Sequence, residues 1–210
     1  MFEREMRDLI HTPRWNVGFV RTIKSQNVVE HSYYVTLYAR QIAEFIGWPE
    51  STSDGYGGYA NLLGLVMYAL HHDFDETTSS DIPMPFKQII KESSGMGYAL
   101  IQKWIEQQTT RRCGSVSPYI QDDVPADIKA IVKTADILEA CCYLADEVSF
   151  GNMNVQPVLM YLQEQMLASV DALPCQDDDV KRRLSTRLTG AVNDCMTRAS
   201  KYVTGKETIK

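Results

Sequence analysis

The chain has 210 residues, 44% of them hydrophobic, with 21 basic and 27 acidic side chains and a net charge of −6. That balance excludes a general nucleic-acid binder, which would carry a basic stripe, and leaves room only for a local cationic pocket. No apolar run is long enough to span a bilayer, and five cysteines with no C-x-x-C pair form neither a disulfide framework nor a zinc knuckle.

Residues 2–10 pattern as a short amphipathic helix with Phe2, Met6, Leu9 and Ile10 inward, ended by Pro13. Arg14, Trp15 and Asn16 stand in an irregular stretch, and residues 17–28, carrying Arg21 and Lys24, read as a loop. A helix follows over 30–46, where Tyr34, Val35, Tyr38, Ile42, Phe45 and Ile46 recur at helical spacing before Gly47 and Pro49. His31 lies in its first turn and points to the same buried side; taken alone, it reads as a hydrogen-bonded core or cap residue. Residues 51–59, with three glycines and two tyrosines, read as a surface loop.

The stretch 62–87 organises the rest. Its apolar run from Leu62 to Leu70 gives way abruptly to His71, His72, Asp73, Asp75 and Glu76. A helix carried through it sets Leu65, Ala69, His72 and Glu76 on one side, with Asp73 on the adjacent stripe of Leu62, Val66 and Ala69. Ionisable groups on a buried face require partners, and a metal ion takes a neutral imidazole and a carboxylate together. Without further ligands, the same pattern is a helix C-terminus with histidines on its dipole. The helical pattern stops in residues 77–80, and Pro83 and Pro85 extend the chain to Lys87.

Downstream, the pattern gives a helix at about 85–91, a loop over 93–97, a helix over 98–107 and a long polar connection over 109–124. A strong helix over 125–150 carries an apolar stripe of Ile128, Ile131, Val132, Ala135, Leu138, Cys142 and Ala145, with Asp136 beside it; Gly151 and Asn152 end it. Adjacent Cys141 and Cys142 read as small core residues. Two further amphipathic helices run over 158–170 and 178–202. With no strand pattern and no internal repeat, the expected fold class is all-α, a compact helical bundle in one domain over 1–210.

His31 and His72 with Asp73 and Asp136 make a mixed nitrogen and oxygen set suited to Mn, Fe, Co, Ni or Zn. Such a site leaves positions for water and a phosphate oxygen. Glu76, one turn beyond His72, is not needed as a ligand and is the candidate general acid/base.

The order H…HD…D resembles the metal motif of HD-domain phosphohydrolases. Arg14-Trp15, N-V-V-E-H-S at 27–32, H-D-x-x-E at 72–76, D-I-P-x-P-x-K at 81–87 and V-K-x-A-D at 132–136 resemble the bacterial 5′-deoxynucleotidase branch, to which phage dATP triphosphohydrolases are related. The match spans a catalytic core over 14–152; residues 153–210 match only as a helical extension.

The resemblance implies one divalent metal (Co, Mn, Zn, Ni or Fe, with Mg allowed) held by His31, His72, Asp73 and Asp136. It implies catalytic roles for Glu76, at the water or leaving group, and for Asp81, at the sugar or in the catalytic network. Arg14 and Lys87 would meet phosphate, and Trp15 would pack on the sugar and disfavour a 2′-hydroxyl. Outside the resemblance, Arg14, Trp15 and Lys87 read as surface charge and core packing. Three departures surround the substrate pocket: Ser80 replaces a usual glycine, His71 adds an imidazole about 100° round the helix from His72, and the Arg14 to His31 interval is slightly long.

The implied reaction converts a deoxynucleoside monophosphate into deoxynucleoside and phosphate. Cleavage of a triphosphate to deoxynucleoside and tripolyphosphate is the alternative, with Arg21, Lys24 and Lys91 as the extra cations. A non-catalytic nucleotide sensor is a third, disfavoured by the intact ligand set and Glu76. The expected partner is a deoxynucleotide, with no nucleic-acid polymer and no membrane. A homo-oligomer, a dimer or larger, is expected in the cytoplasm of a bacterium or of a phage host.

Overall fold

Asn27 starts the first long helix by accepting the Glu30 N–H on its side-chain oxygen at 2.9 Å, an N-cap that satisfies one of the donors every helix start leaves unpaired. The computed structural model describes residues 9–15, 20–48, 56–74, 76–79, 89, 92, 95–113 and 124–203. Among them the helices are α1 (Val28–Phe45), α2 (Tyr56–His71), α3 (Glu76–Ser79), α4 (Gly95–Cys113), α5 (Ala126–Ser149), α6 (Gln156–Val170) and α7 (Asp178–Val203). Two 3-10 turns, Leu9–His11 and Met153–Val155, are also formed, and residues 89 and 92 are helical. Gly47 (φ 71°) and Gly151 (φ 92°) sit just beyond the ends of α1 and α5 in the left-handed region, where a side chain would be strained.

Helix α5 is the centre, packing against α1, α2, α6 and α7. Its Ile131, Ala135, Leu144 and Ala145 are wholly buried and share one core with Val35 and Ala39 of α1, Leu65 and Ala69 of α2, Leu159 and Met166 of α6, and Leu184 and Val192 of α7. Each fully buried Leu or Ile contributes about 1.5–3 kcal/mol relative to an exposed one. Among the described residues there is no strand, only an isolated bridge between Pro13 and Asn27. The all-α expectation holds. No helix among them is long and apolar enough to cross a membrane.

Two boundary expectations and two of burial need correction. Residues 56–59 are helical rather than loop: Gly57 and Gly58 fall in the first turn of α2, where a glycine breaks little. Helix α4 starts at Gly95, inside the expected loop over 93–97, and continues through residues 109–113, because Gln, Thr and Arg are polar without breaking a helix; the first breaker is Gly114. Ile10, expected inward, is exposed, in a single 3-10 turn rather than an amphipathic helix face. Tyr34, expected on the apolar stripe of α1, is also exposed and meets Tyr33 edge-on; the inward face is Val28, His31, Val35, Ala39 and Ile42. The expected helix over 2–10 otherwise lies outside the described residues, as does nearly all of that over 85–91.

The segment 20–27, between Trp15 and α1, has no helix of its own, yet α5 holds it in place. Glu147, wholly buried, accepts the backbone N–H groups of Ile23 (2.5 Å) and Lys24 (2.8 Å) and the Asn152 side-chain amide (2.9 Å). Asn152 in turn donates to Arg21 O, and the Tyr143 hydroxyl donates to Lys24 O. Glu147→Ala would strand these donors, and hydrogen bonds to a charged group contribute about 1.5–3 kcal/mol each. We expect it to lower Tm by at least 5 °C or so, given roughly 2–4 °C per kcal/mol at this size. Thermal unfolding measures this; a shift under about 1 °C would show that the segment is held by other means.

Candidate active site

Helix α2 does not continue to Glu76, as the sequence pattern predicts. It ends at His71, and residues 72–74 turn: Phe74 N–H donates to His71 O at 2.9 Å and Glu76 N–H to Asp73 O at 3.0 Å. The cause lies in the histidines. His71 Nδ1 donates to Met67 O (2.6 Å) and His72 Nδ1 to Ala69 O (2.7 Å), so side chains take up carbonyls at the helix end. The reading of this stretch as a histidine-capped C-terminus and the reading as a metal site are therefore compatible. Each imidazole has two nitrogens, and capping uses one.

The other nitrogen of His72 faces the site. His72 Nε2 and His31 Nε2 each lie 3.3 Å from Asp73 Oδ2, and His31 Nε2 lies 3.3 Å from Asp136 Oδ1. Both Nε2 atoms are buried without a hydrogen bond. The ligand atoms of His31, His72 and Asp73 fall within 4.8 Å of one another, with Asp136 joined to them through His31. Two imidazole nitrogens and two carboxylates converging at contacts of 3.3 Å fit a divalent cation.

The electrostatics of the centre favour positive charge. Burial, and then the Arg14 guanidinium, lower the His31 pKa; Glu139, Asp136 and Asp73 outweigh both and push it up to about 10. Burial works to raise the Asp73 carboxyl, but His72, His31 and Arg14 hold it well below the usual range. For Asp136, too, burial is outweighed, by His31 and Lys133. The centre thus keeps its carboxylates ionised and draws a cation.

Arg14 shares this centre. Its Nη1 is 3.5 Å from Asp73 Oδ2, and its Nε and Nη1 are buried without a hydrogen bond. Burial lowers its pKa, but Asp73, Asp136, Glu139 and Glu76 together raise it. Glu76 is buried at the first residue of α3.

His31 is aimed by its other nitrogen. Nδ1–H donates to Glu139 Oε2 at 2.6 Å, and Glu139 Oε1 accepts the Gln26 side-chain amide at 2.6 Å. Gln26 Oε1 then accepts the Trp15 indole N–H at 3.2 Å. Trp15 is non-glycine yet adopts φ 62°, a conformation that costs about 1–3 kcal/mol and persists where the surroundings impose it. Its ring stacks on Tyr143 with centroids 5.8 Å apart and an interplanar angle of 2°.

Comparison with known proteins gives this arrangement a lineage. The family model "5′-deoxynucleotidase YfbR-like" matches residues 1–177. The chain belongs to the YfbR-like 5′-deoxynucleotidase family. It is 30% identical over 146 residues to the 5′-deoxynucleotidase YfbR of Escherichia coli O127:H6 (strain E2348/69 / EPEC), covering 66% of this chain and 68% of that one. The 5′-deoxynucleotidase YfbR of Salmonella newport (strain SL254) matches to the same extent. Among solved structures, the cyanophage S-2L HD phosphohydrolase DatZ, bound to dA and one catalytic Zn2+ ion, superposes with a TM-score of 0.66 at 20% identity, over 90% of this chain and 95% of that one. At that identity the likeness is one of fold. The YfbR-like chain described here is a deoxynucleotide phosphohydrolase.

Of the residues singled out in the sequence, the fold brings His31, His72, Asp73, Asp136 and Arg14 together. Trp15 joins them through Gln26 and Glu139. Asp81 and Lys87 lie outside the described residues, as does Lys91. His71 faces Phe74 edge-on at 5.9 Å, consistent with packing. Sequence reasoning missed Gln26, Glu139 and Lys133, whose Nζ is 2.9 Å from Asp136 Oδ2. Glu139 had a signal: apart from Asp136, it is the one charged residue in the buried run 134–142 of α5.

Proposed function

We propose that this enzyme removes the 5′ phosphate of a deoxynucleoside monophosphate, with His31, His72, Asp73 and Asp136 holding one divalent transition metal. The observation that carries the reading is Arg14. A buried guanidinium 3.5 Å from Asp73, with two nitrogens making no hydrogen bond, is a donor set for phosphate oxygens beside the metal ligands. When bound, the metal supplies Lewis acidity, polarising a phosphoryl oxygen and acidifying water. Arg14 orients the phosphate and offsets its charge, and Lys87 adds a second cation by its motif position. Glu76 takes the proton of the attacking water as the water oxygen bonds to phosphorus, and returns one to O5′ as the P–O5′ bond breaks. Asp81 is assigned to the sugar or the catalytic network on its motif alone.

Support for the monophosphate comes from where the other cations go. A triphosphate brings about two further negative charges, which need further cations. Lys24, a candidate for them, has its ammonium 4.3 Å above the Phe150 ring and 3.9 Å from Asp146. Asp146 is ten residues beyond Asp136, about 15 Å along α5. Product analysis on dNMPs and dNTPs with Mn, Co and Mg tests the reading. Deoxynucleoside and orthophosphate from dNMPs, with dNTPs inert, is the expected result; tripolyphosphate released in one step from a dNTP would replace it.

Trp15 is proposed as the wall that excludes a 2′-hydroxyl. A substitution to alanine is expected to relax the preference for dAMP over AMP by at least about tenfold, more than it slows dAMP itself. Steady-state kinetics on both substrates measures this, and an unchanged ratio would remove Trp15 from the sugar site.

A further inference from the structure

We infer that Gln26 and Glu139 are positioning residues that tie sugar selectivity to the metal centre through one hydrogen-bonded chain. The inference rests on the proposed roles of Trp15 and His31. The chain has four members and converges on Glu139: Trp15 N–H donates to Gln26 Oε1, Gln26 N–H to Glu139 Oε1, and, from the other end, His31 Nδ1–H to the second oxygen of Glu139. Glu139 accepts from both sides, so it orients the imidazole that presents Nε2 to the ligand cluster and the amide that orients Trp15. Gln26 and Glu139 are both buried, so water does not readily substitute for a missing member. Glu139 meets His31 at Nδ1 rather than at the converging Nε2, and Gln26 meets Trp15 and Glu139; both act through a neighbour.

The directionality makes the idea testable. In Glu139→Gln, residue 139 must still accept from His31 and therefore turns its amide nitrogen toward residue 26. Gln26 must then flip to accept, which sets its own nitrogen against the Trp15 N–H, donor to donor. Adding Gln26→Glu removes that conflict: a carboxylate at 26 accepts from Trp15 on one oxygen and from residue 139 on the other. The double swap therefore rebuilds the chain at the Trp15 end, while leaving His31 on a neutral acceptor.

The experiment uses Gln26→Leu, Glu139→Gln, the Gln26→Glu/Glu139→Gln double variant and Trp15→Ala. Two readouts are taken on each: the dAMP to AMP ratio of kcat/KM, and Zn affinity by competition with a chelator. Gln26→Leu should lower the ratio about tenfold, the scale of one net hydrogen bond, with Zn affinity within about threefold of the parent. Glu139→Gln should lower both, the affinity by about 10–100-fold, as expected when the group behind a metal-bound histidine is weakened. The double variant should regain the ratio but not the affinity, a split that damage to the fold would not produce. If Trp15→Ala collapses the ratio while Gln26→Leu leaves it intact, the coupling is wrong and the sugar wall stands. A double variant no more selective than Glu139→Gln also overturns the coupling. If Trp15→Ala leaves the ratio unchanged, the sugar wall fails, and the coupling with it.

Discussion

Asp73→Ala is expected to leave the protein without tightly held metal and without measurable hydrolysis. One oxygen, Asp73 Oδ2, lies 3.3 Å from His31 Nε2, 3.3 Å from His72 Nε2 and 3.5 Å from Arg14 Nη1. Its removal deletes the carboxylate shared by both imidazoles and leaves the Arg14 guanidinium facing them without its nearest counter-charge. Weakening a group behind a ligand already costs about 10–100-fold in metal affinity, so loss of a proposed ligand should exceed that. Metal analysis after dialysis, paired with phosphate release, reads both effects. An Asp73→Ala protein that keeps a full equivalent of metal would move the site elsewhere.

Glu76→Gln is expected to keep the metal and bind substrate while turnover falls by about 10²–10⁴-fold, the usual contribution of a positioned proton-transfer group. Glu76 is buried at the start of α3, and its backbone N–H is bonded to Asp73 O at 3.0 Å. Its position is thus locked to the turn that carries the proposed ligands, and glutamine preserves its shape while removing its capacity to take a proton. Kinetics and metal content on the same preparation separate the roles, since a glutamine variant that loses metal would make Glu76 a ligand.

His31 and Asp136 were legible because helical periodicity carries phase, and both sit on helices long enough to show it. His72 and Asp73 were legible as a motif but not as a local structure. A helix end made by imidazoles capping carbonyls contains no glycine or proline to announce it. Arg14 and Trp15 lie outside any periodic segment, so only the motif resemblance marked them. Gln26 was beyond reach: it precedes α1 in a segment shaped by contacts with α5, more than a hundred residues away in sequence. The polar stretch 109–113 misled for the opposite reason, since polarity marks exposure rather than the end of a helix.

Helix α5 sets Asp136, Glu139, Tyr143 and Glu147 at steps of three, four and four along one face. Asp136 and Glu139 meet His31, Tyr143 meets Trp15, and Glu147 meets the backbone of residues 23 and 24. The face is therefore a ruler of about 16 Å whose marks are read by a different segment of the chain. A one-residue insertion after Glu139 would rotate every later mark by about 100°, and a four-residue insertion would nearly restore the angle but overshoot by about 6 Å. Neither leaves both ends engaged, so length changes within this stretch should be tolerated nowhere, whereas exchanges of side chains along it remain open. Selectivity in this scaffold can be altered by re-marking the ruler, not by extending it.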